Sequence, residues 1–212
     1  SNITLNANNG CVAYNVALGT PITSDNCSIS SVTNNAPTVY TEGITEITWT
    51  VSDSSGNTTT GIQTVTVLDT VNPTIIAPSP VTVSATVDCS VTNVSLGTPV
   101  TSDNCSVASV TNNAPLVFNQ GTTTVTWTVV DGSGNSATAT QIVTVVDGVL
   151  PSISAPANIV LSTNSGCLAT GVELGLAVAN DNCSTVTVSN NAPVTYPIGT
   201  TTITWTATDA NG

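Results

Sequence analysis

Gly121-Thr-Thr-Thr-Val-Thr-Trp-Thr-Val-Val-Asp-Gly-Ser-Gly-Asn135 is the stretch on which the fold turns. From Thr122 to Val130, Val125, Trp127 and Val129 share one face while Thr124, Thr126 and Thr128 share the other. A period of two is that of a half-buried β-strand, and the face carrying Trp127 belongs to the core. Asp131-Gly-Ser-Gly-Asn135 then reads as a hairpin, because Gly and Asn accept the positive φ of tight connections. The chain returns along Thr138 to Val146, another alternating, β-branched run.

Working upstream, Val81 to Val87 alternates in the same way and reads as a strand running into Cys89. Short strands are expected at Val91 to Leu96, Val107 to Thr111 and Leu116 to Phe118. Gly97, Pro99, Asp103 and Asn104 break the chain into a loop between the first two, and Asn112-Asn-Ala-Pro115 makes a turn. About seven short strands with turn signals every 8 to 12 residues, and no helical period, predict an immunoglobulin-like antiparallel β-sandwich.

This unit recurs. Trp49, Trp127 and Trp205 stand 78 residues apart, as do Asp53, Asp131 and Asp209, Cys11, Cys89 and Cys167, and Cys27, Cys105 and Cys183. Leu96-Gly-Thr-Pro-Val-Thr-Ser-Asp-Asn-Cys-Ser106 appears almost unchanged at 18–28 and altered at 174–184. A constant long period held through turns as well as strands means one small domain in tandem. The expected domains are 1–71, 72–149 and 150–212, with all three Trp residues in cores. The first lacks the segment matching Pro73 to Pro78, and the third lacks everything matching Asn135 to Asp147, with Gly212 aligned to Gly134. The natural chain is therefore expected to continue at both ends. Linkers such as Asp69-Thr-Val-Asn-Pro73 and Asp147-Gly-Val-Leu-Pro151 are short, so the sandwiches are expected to stack into an elongated rod.

The chain has no Lys, Arg or His against 12 acidic residues, a formal charge of −12. Nucleic-acid binding, which rests on cationic side chains meeting phosphates, is excluded, and anionic membranes are disfavoured for the same reason. Catalysis needing an imidazole base, a Lys nucleophile or an Arg clamp is equally excluded, so no enzyme is expected. No signal peptide or transmembrane run is present in this sequence, and no direct membrane insertion is expected.

Two Cys per unit are too few for a zinc site, which usually needs four ligands. Disulfides are the expected use of Cys11, Cys27, Cys89, Cys105, Cys167 and Cys183. Counting within each unit pairs Cys11 with Cys27, Cys89 with Cys105 and Cys167 with Cys183. Closing a loop of about 15 residues is worth roughly 3 kcal/mol, a useful sum where one small core supplies only about 3–5 kcal/mol. Persistent disulfides imply an extracellular location.

Three acidic positions recur: Asp25, Asp103 and Asp181; Asp53, Asp131 and Asp209; Asp69 and Asp147. Two readings stand side by side. Asp suits turns, where its side chain caps backbone N–H groups. Alternatively the linker Asp and a loop of a neighbouring domain meet around Ca²⁺, which takes six to eight oxygen ligands and supplies the positive charge the chain lacks. No EF-hand spacing exists, so the second reading is positional.

The run from Gly121 to Asn135, followed by Val-Thr-Val-Val-Asp147 and Pro151, resembles the hyalin repeat, or HYR domain, as does Asp103-Asn-Cys105. The first unit shows the same pattern in Gly43-Ile-Thr-Glu-Ile-Thr-Trp49, Asp53 and Gly56-Asn57. The resemblance implies an immunoglobulin-like fold and extracellular adhesion. Long, nearly identical arrays of this kind look most like giant cell-surface adhesins of Bacteroidota, including those of gliding motility. The chain departs from many HYR domains in having no Cys in its final strand, Ser136 to Val146. The function expected is a repeated stalk segment of such an adhesin, and the alternative is a segment of a self-assembling extracellular filament. The partners expected are neighbouring repeats and, in the alternative, other copies of the chain.

Overall fold

The structure is a computed structural model that describes residues 1–211. In the first repeat, eleven-residue strands at Gly43–Asp53 and Thr58–Leu68 form a hairpin in which Trp49 faces Gly61. Ile29–Asn34 adds antiparallel to the first of these strands, and Ile3–Asn6 adds to the second. The sheet order is thus Ile3–Asn6, Thr58–Leu68, Gly43–Asp53, Ile29–Asn34. Across from this sheet, Val12–Tyr14 pairs with Val39–Thr41. The alternation seen in the sequence sends Ile47, Val65 and Val67 inward, where they pack with Ala13 and Tyr40 from the smaller pair, each at most 3% exposed. Ile3, Leu5, Leu18 and Trp49 flank that cluster.

The all-β sandwich architecture is the one expected, with one difference. Ile3–Asn6 runs parallel to Thr58–Leu68, and Val81–Ala85 runs parallel to Ser136–Asp147. A parallel pair needs a long crossover, and here the intervening body of each repeat is that crossover, so the first strand of a sandwich lies beside its last.

The second repeat keeps the order Val81–Ala85, Ser136–Asp147, Gly121–Asp131, Val107–Asn112, with Ser90–Thr92 paired to Val117–Asn119. It adds a pair that alternation did not reveal: Thr74–Ile76, just past the linker that ends at Pro73, bonds to Val100–Ser102, read as loop. The third repeat has the same pair in Ser152–Ser154 and Val178–Asn180. In the first repeat no residues match 74–76, and Ile22, the counterpart of Val100, stands fully exposed.

Partner strands also govern the third repeat. Residues 159–163 match the strand Val81–Ala85 but form no strand, since the segment matching Ser136–Asp147 is not in the sequence. Ile159, Val160 and Leu161 are consequently 47%, 97% and 55% exposed. Trp127 is 6% exposed, whereas Trp205 is only half-buried. Gly212 lies outside the described residues.

A buried glutamine closes the sandwich in each of the first two repeats, and periodicity gave no sign of it. Gln63 accepts a hydrogen bond from Trp49 Nε1 at 2.9 Å and donates to the carbonyls of Ser1 at 2.7 Å and Leu18 at 3.1 Å. Gln141, 1% exposed, donates to the carbonyls of Ser79 at 2.9 Å and Leu96 at 2.8 Å. Removing such a donor leaves buried carbonyls without a partner, which costs about 1–3 kcal/mol each. Gln141→Leu, similar in volume, is expected to lower stability by about 1–3 kcal/mol or more. A urea titration followed by circular dichroism measures it, and an unchanged midpoint refutes the assignment.

By contacts the chain gathers into two units. One comprises Ser1–Pro78, Gly97–Asn113 and Thr126–Thr140; the other comprises Ser79–Leu96, Ala114–Val125 and the chain from Gln141 onward. The division falls inside the second repeat. Each unit therefore contains one place where consecutive repeats meet.

Candidate metal centre

In the first unit the linker residue Asp69 is 6% exposed. Its Oδ1 accepts from the N–H of Val71 at 3.0 Å and from Asn104 Nδ2 at 3.1 Å, so the linker of the first repeat is tied to the Asp103-Asn104-Cys105 loop of the second. Asn104 Nδ2 also reaches the carbonyl of Gly10 at 3.3 Å. Asp103 turns one oxygen, Oδ2, back on its own loop, accepting from the N–H groups of Cys105 at 2.8 Å and Ser106 at 3.0 Å. Asp131 does the same for its hairpin, where Oδ1 accepts from Ser133 N–H at 2.9 Å and Asn135 N–H at 2.8 Å. Asn135 Nδ2 donates both to Asp131 Oδ2 at 2.8 Å and to the carbonyl of Asp69 at 3.2 Å. Three sequence-distant segments thus converge.

The turn-cap reading accounts for one oxygen of each aspartate. Asp69 Oδ2 and Asp103 Oδ1 are buried without a hydrogen-bond partner. Buried polar atoms are almost always satisfied, and an unpaired carboxylate oxygen is costly. Carboxylate oxygens of Asp69 and Asp103 lie within 4.8 Å of each other and of Cys105 Sγ, but that sulfur is engaged in a disulfide and is no thiolate ligand.

The second unit repeats the arrangement 78 residues on. Carboxylate oxygens of Asp147, Asp181 and Asp209 lie mutually within 4.8 Å. Asp147 Oδ1 accepts from Val149 N–H at 3.0 Å, and Asp181 Oδ2 accepts from the N–H groups of Cys183 and Ser184, both at 2.8 Å. Asp209 Oδ1 caps Asn211 N–H at 2.9 Å. Again the same oxygens are left over: Asp147 Oδ2 and Asp181 Oδ1, here joined by Asn182 Oδ1.

Two of these carboxyls, Asp131 and Asp181, are held in their charged form. Burial pushes Asp131 up, but the Asn135 amide and the N–H groups of Asn135, Ser133 and Gly134 outweigh it, and its pKa falls below the ordinary carboxylate value. Asp181 is lowered chiefly by the Cys183 N–H, against the opposing effect of burial. Cys183 moves the other way, pushed up to about 12 by burial, by its hydrogen bond with Cys89 and by the negative charge of Asp147 and Asp181.

Asp25 and Asp53, in the first repeat, are not brought into any carboxylate cluster among the described residues. Asp25 Oδ2 caps the N–H groups of Cys27 and Ser28 at 2.8 and 3.1 Å. Asp53 caps Ser55 and Asn57, and the Asn57 side chain at 2.7 Å is the main cause of its lowered pKa.

The disulfide pairing expected within repeats is corrected. Cys11 bonds to Cys105, 94 residues away, with Cα atoms 4.7 Å apart. Cys27, Cys89, Cys167 and Cys183 are free thiols, so neither Cys89–Cys105 nor Cys167–Cys183 is formed. The cause is the length of the central strand. The carbonyl of Cys11 accepts from Glu42 N–H, beside the Gly43 end of Gly43–Asp53, whereas the carbonyl of Ser28 accepts from Ser54 N–H, beside its Asp53 end. Ten residue steps at about 3.3 Å put Cys11 and Cys27 about 33 Å apart, far beyond the roughly 7 Å Cα limit of a disulfide. Cys105, carried by the next repeat, is the thiol that comes within reach.

Tandem β-sandwich repeats whose linker and loop aspartates meet where one repeat follows another define the class of this chain. Residues 68–145 match the HYR domain family. No curated protein matches the chain. Among solved structures it is similar to extracellular cadherin domains 1–4 of protocadherin gamma B7, at 13% identity and a TM-score of 0.35, covering 99% of this chain and 66% of that one. It is also similar to human CDH23 EC21-23, at 15% identity and a TM-score of 0.39, covering 84% and 74%. Human protocadherin-24 EC1-2 is a third, at 12% identity and a TM-score of 0.33, covering 68% and 94%. The chain spans just under two thirds of the protocadherin gamma B7 fragment. Among the described residues no helix is long and apolar enough to cross a membrane.

Proposed function

We propose that this chain is a stretch of the stalk of a large extracellular bacterial surface adhesin, of the type used in gliding motility by Bacteroidota, in which Ca²⁺ stiffens the junctions between consecutive HYR-like repeats. The repeats are taken as 1–71, 72–149 and 150–212. The observation that carries the calcium reading is the pair of leftover oxygens, Asp69 Oδ2 with Asp103 Oδ1 and Asp147 Oδ2 with Asp181 Oδ1, recurring at both junctions. A chain with no Lys, Arg or His has no side-chain cation to neutralise them. Hard carboxylate and amide oxygens suit Ca²⁺, with loop carbonyls and water completing six to eight ligands. No catalytic role is assigned, because the clustered carboxylates, amides and thiols have no His, Lys or Arg beside them to serve as imidazole base, amine nucleophile or guanidinium clamp.

Ligand that binds only the folded state at a hundred times its Kd stabilises by about 2.7 kcal/mol. Thermal melts in millimolar CaCl₂ are therefore expected to rise by several degrees over melts in excess EDTA. Asp69→Asn combined with Asp147→Asn should abolish most of that rise. An unchanged midpoint in EDTA removes calcium from the account while leaving the stalk reading to be tested by sizing.

The alternative reading is a segment of a self-assembling extracellular filament, in which a strand of one copy completes another by β-augmentation. Light scattering that grows with protein concentration supports the filament, and a monodisperse monomer supports the stalk.

A further inference from the structure

The thiols of the second junction stand in the surroundings of the bonded pair of the first. Cys89 and Cys183 lie 78 residues beyond Cys11 and Cys105 respectively, so they too are separated by 94 residues (183 − 89). The carbonyl of Cys11 accepts from Glu42 N–H at 3.0 Å, and that of Cys89 accepts from Gln120 N–H at 2.7 Å. Asn104 Nδ2 lies 3.3 Å from Cys105 Sγ, and Asn182 Nδ2 lies 3.0 Å from Cys183 Sγ. Cys105 N–H donates to Asp103 at 2.8 Å, as Cys183 N–H donates to Asp181 at 2.8 Å. The Cys89 thiol donates to the carbonyl of Asn182, the residue before Cys183, at 2.9 Å. Cys89 and Cys183 are half-buried, while Cys27 and Cys167 are exposed.

We propose that Cys89 and Cys183 close a second cross-repeat disulfide, so that each junction carries one covalent staple from the Cys that opens a repeat to the Asp-Asn-Cys loop of the next. The staple is independent of whether a cation binds. Its formation requires a disulfide oxidant, either a small-molecule disulfide such as oxidised glutathione or a protein disulfide. One Cys thiolate attacks a sulfur of the oxidant, forming a mixed disulfide and releasing one thiol. The second Cys then attacks the mixed disulfide, the Cys89–Cys183 bond forms, and a second thiol leaves. Two electrons and two protons pass from the Cys pair to the oxidant, which ends as two thiols. The registry of the staple is set by the fold rather than by nearness in sequence. Cys27 and Cys167 are the same two halves of the staple, each without a partner among the residues of this chain.

The test maps thiols on the full chain. Reduced protein is equilibrated with oxidised glutathione, alkylated without reduction, digested with pepsin, since a chain lacking Lys and Arg gives trypsin no sites, and read by mass spectrometry. The expected result is a linked peptide pair containing Cys89 and Cys183, with alkylation at Cys27 and Cys167. Alkylated Cys89 or Cys183, a Cys89–Cys105 or Cys167–Cys183 link, or a dimer bridged through Cys89 overturns the proposal. In Cys183→Ser, Cys89 is expected to become a third alkylated thiol with Cys11–Cys105 intact. Cys27→Ser combined with Cys167→Ser removes the exposed thiols, and the Cys89–Cys183 link is expected to persist; its disappearance counts against the proposal.

Discussion

Trp127→Ala is expected to destabilise the chain by about 3–5 kcal/mol, the usual cost of emptying a large aromatic site in a core. Trp127 sits within the eleven-residue strand Gly121–Asp131, opposite Asn112 in the register, and is 6% exposed. No small neighbour can fill the volume of an indole, so a cavity term adds to the lost transfer energy. Trp205→Ala makes the same substitution at the same repeat position, but in a sandwich whose closing strand is not in the sequence, and Trp205 is only half-buried. Its cost is expected to be less than half as large. Urea titrations of the two variants by far-ultraviolet circular dichroism decide the matter. Equal losses exclude burial as the origin of the effect, and a loss below about 1 kcal/mol for Trp127→Ala removes that side chain from the core.

The second large effect is expected from Cys11→Ser combined with Cys105→Ser. In the chain-entropy picture, cross-linking a loop of about 100 residues is worth about 4.7 kcal/mol, and the Cys11–Cys105 bond spans 94 residues. A bond within one repeat closes a loop of about 15 residues and is worth about 3 kcal/mol on the same scale. At roughly 4–8 °C per kcal/mol for a domain of this size, loss of the cross-repeat bond is expected to lower the melting midpoint by on the order of 20 °C. Replacing both residues avoids leaving an exposed reactive thiol that obscures the comparison. The control is Cys27→Ser, which removes a free, exposed thiol and is expected to leave the midpoint within a degree or two. A small shift in the double variant contradicts the stabilising role given to the staple.

Much of this architecture is legible in one dimension. The alternation around Trp127 marks the central strand because side chains in a strand point to opposite faces, and the buried residues Val125, Trp127 and Val129 are those on its apolar face. The 78-residue period identifies the domain as repeated. The meeting of a linker aspartate with a loop aspartate was open to inference from recurrence and from the want of any cation. Thr74–Ile76 and Val100–Ser102 were not legible, since each is three residues long and follows a proline, and their pairing is a non-local hydrogen bond. Gln63 and Gln141 were hidden for a different reason. A glutamine in an alternating strand reads as solvent-facing, and only the carbonyls waiting in the core explain why it points inward.

The sequence by itself determined that this is a tandem array of β-sandwiches, which side faces each core, and which carboxylates and thiols recur. Those properties follow from periodicity and composition, which act locally along the chain. Tertiary structure alone decided which of those groups meet. Cys11 and Cys27 are sixteen residues apart in sequence but sit at opposite ends of a strand about 33 Å long. Cys105, 94 residues away, is brought alongside Cys11 because it lies in the loop that the following repeat carries to that end.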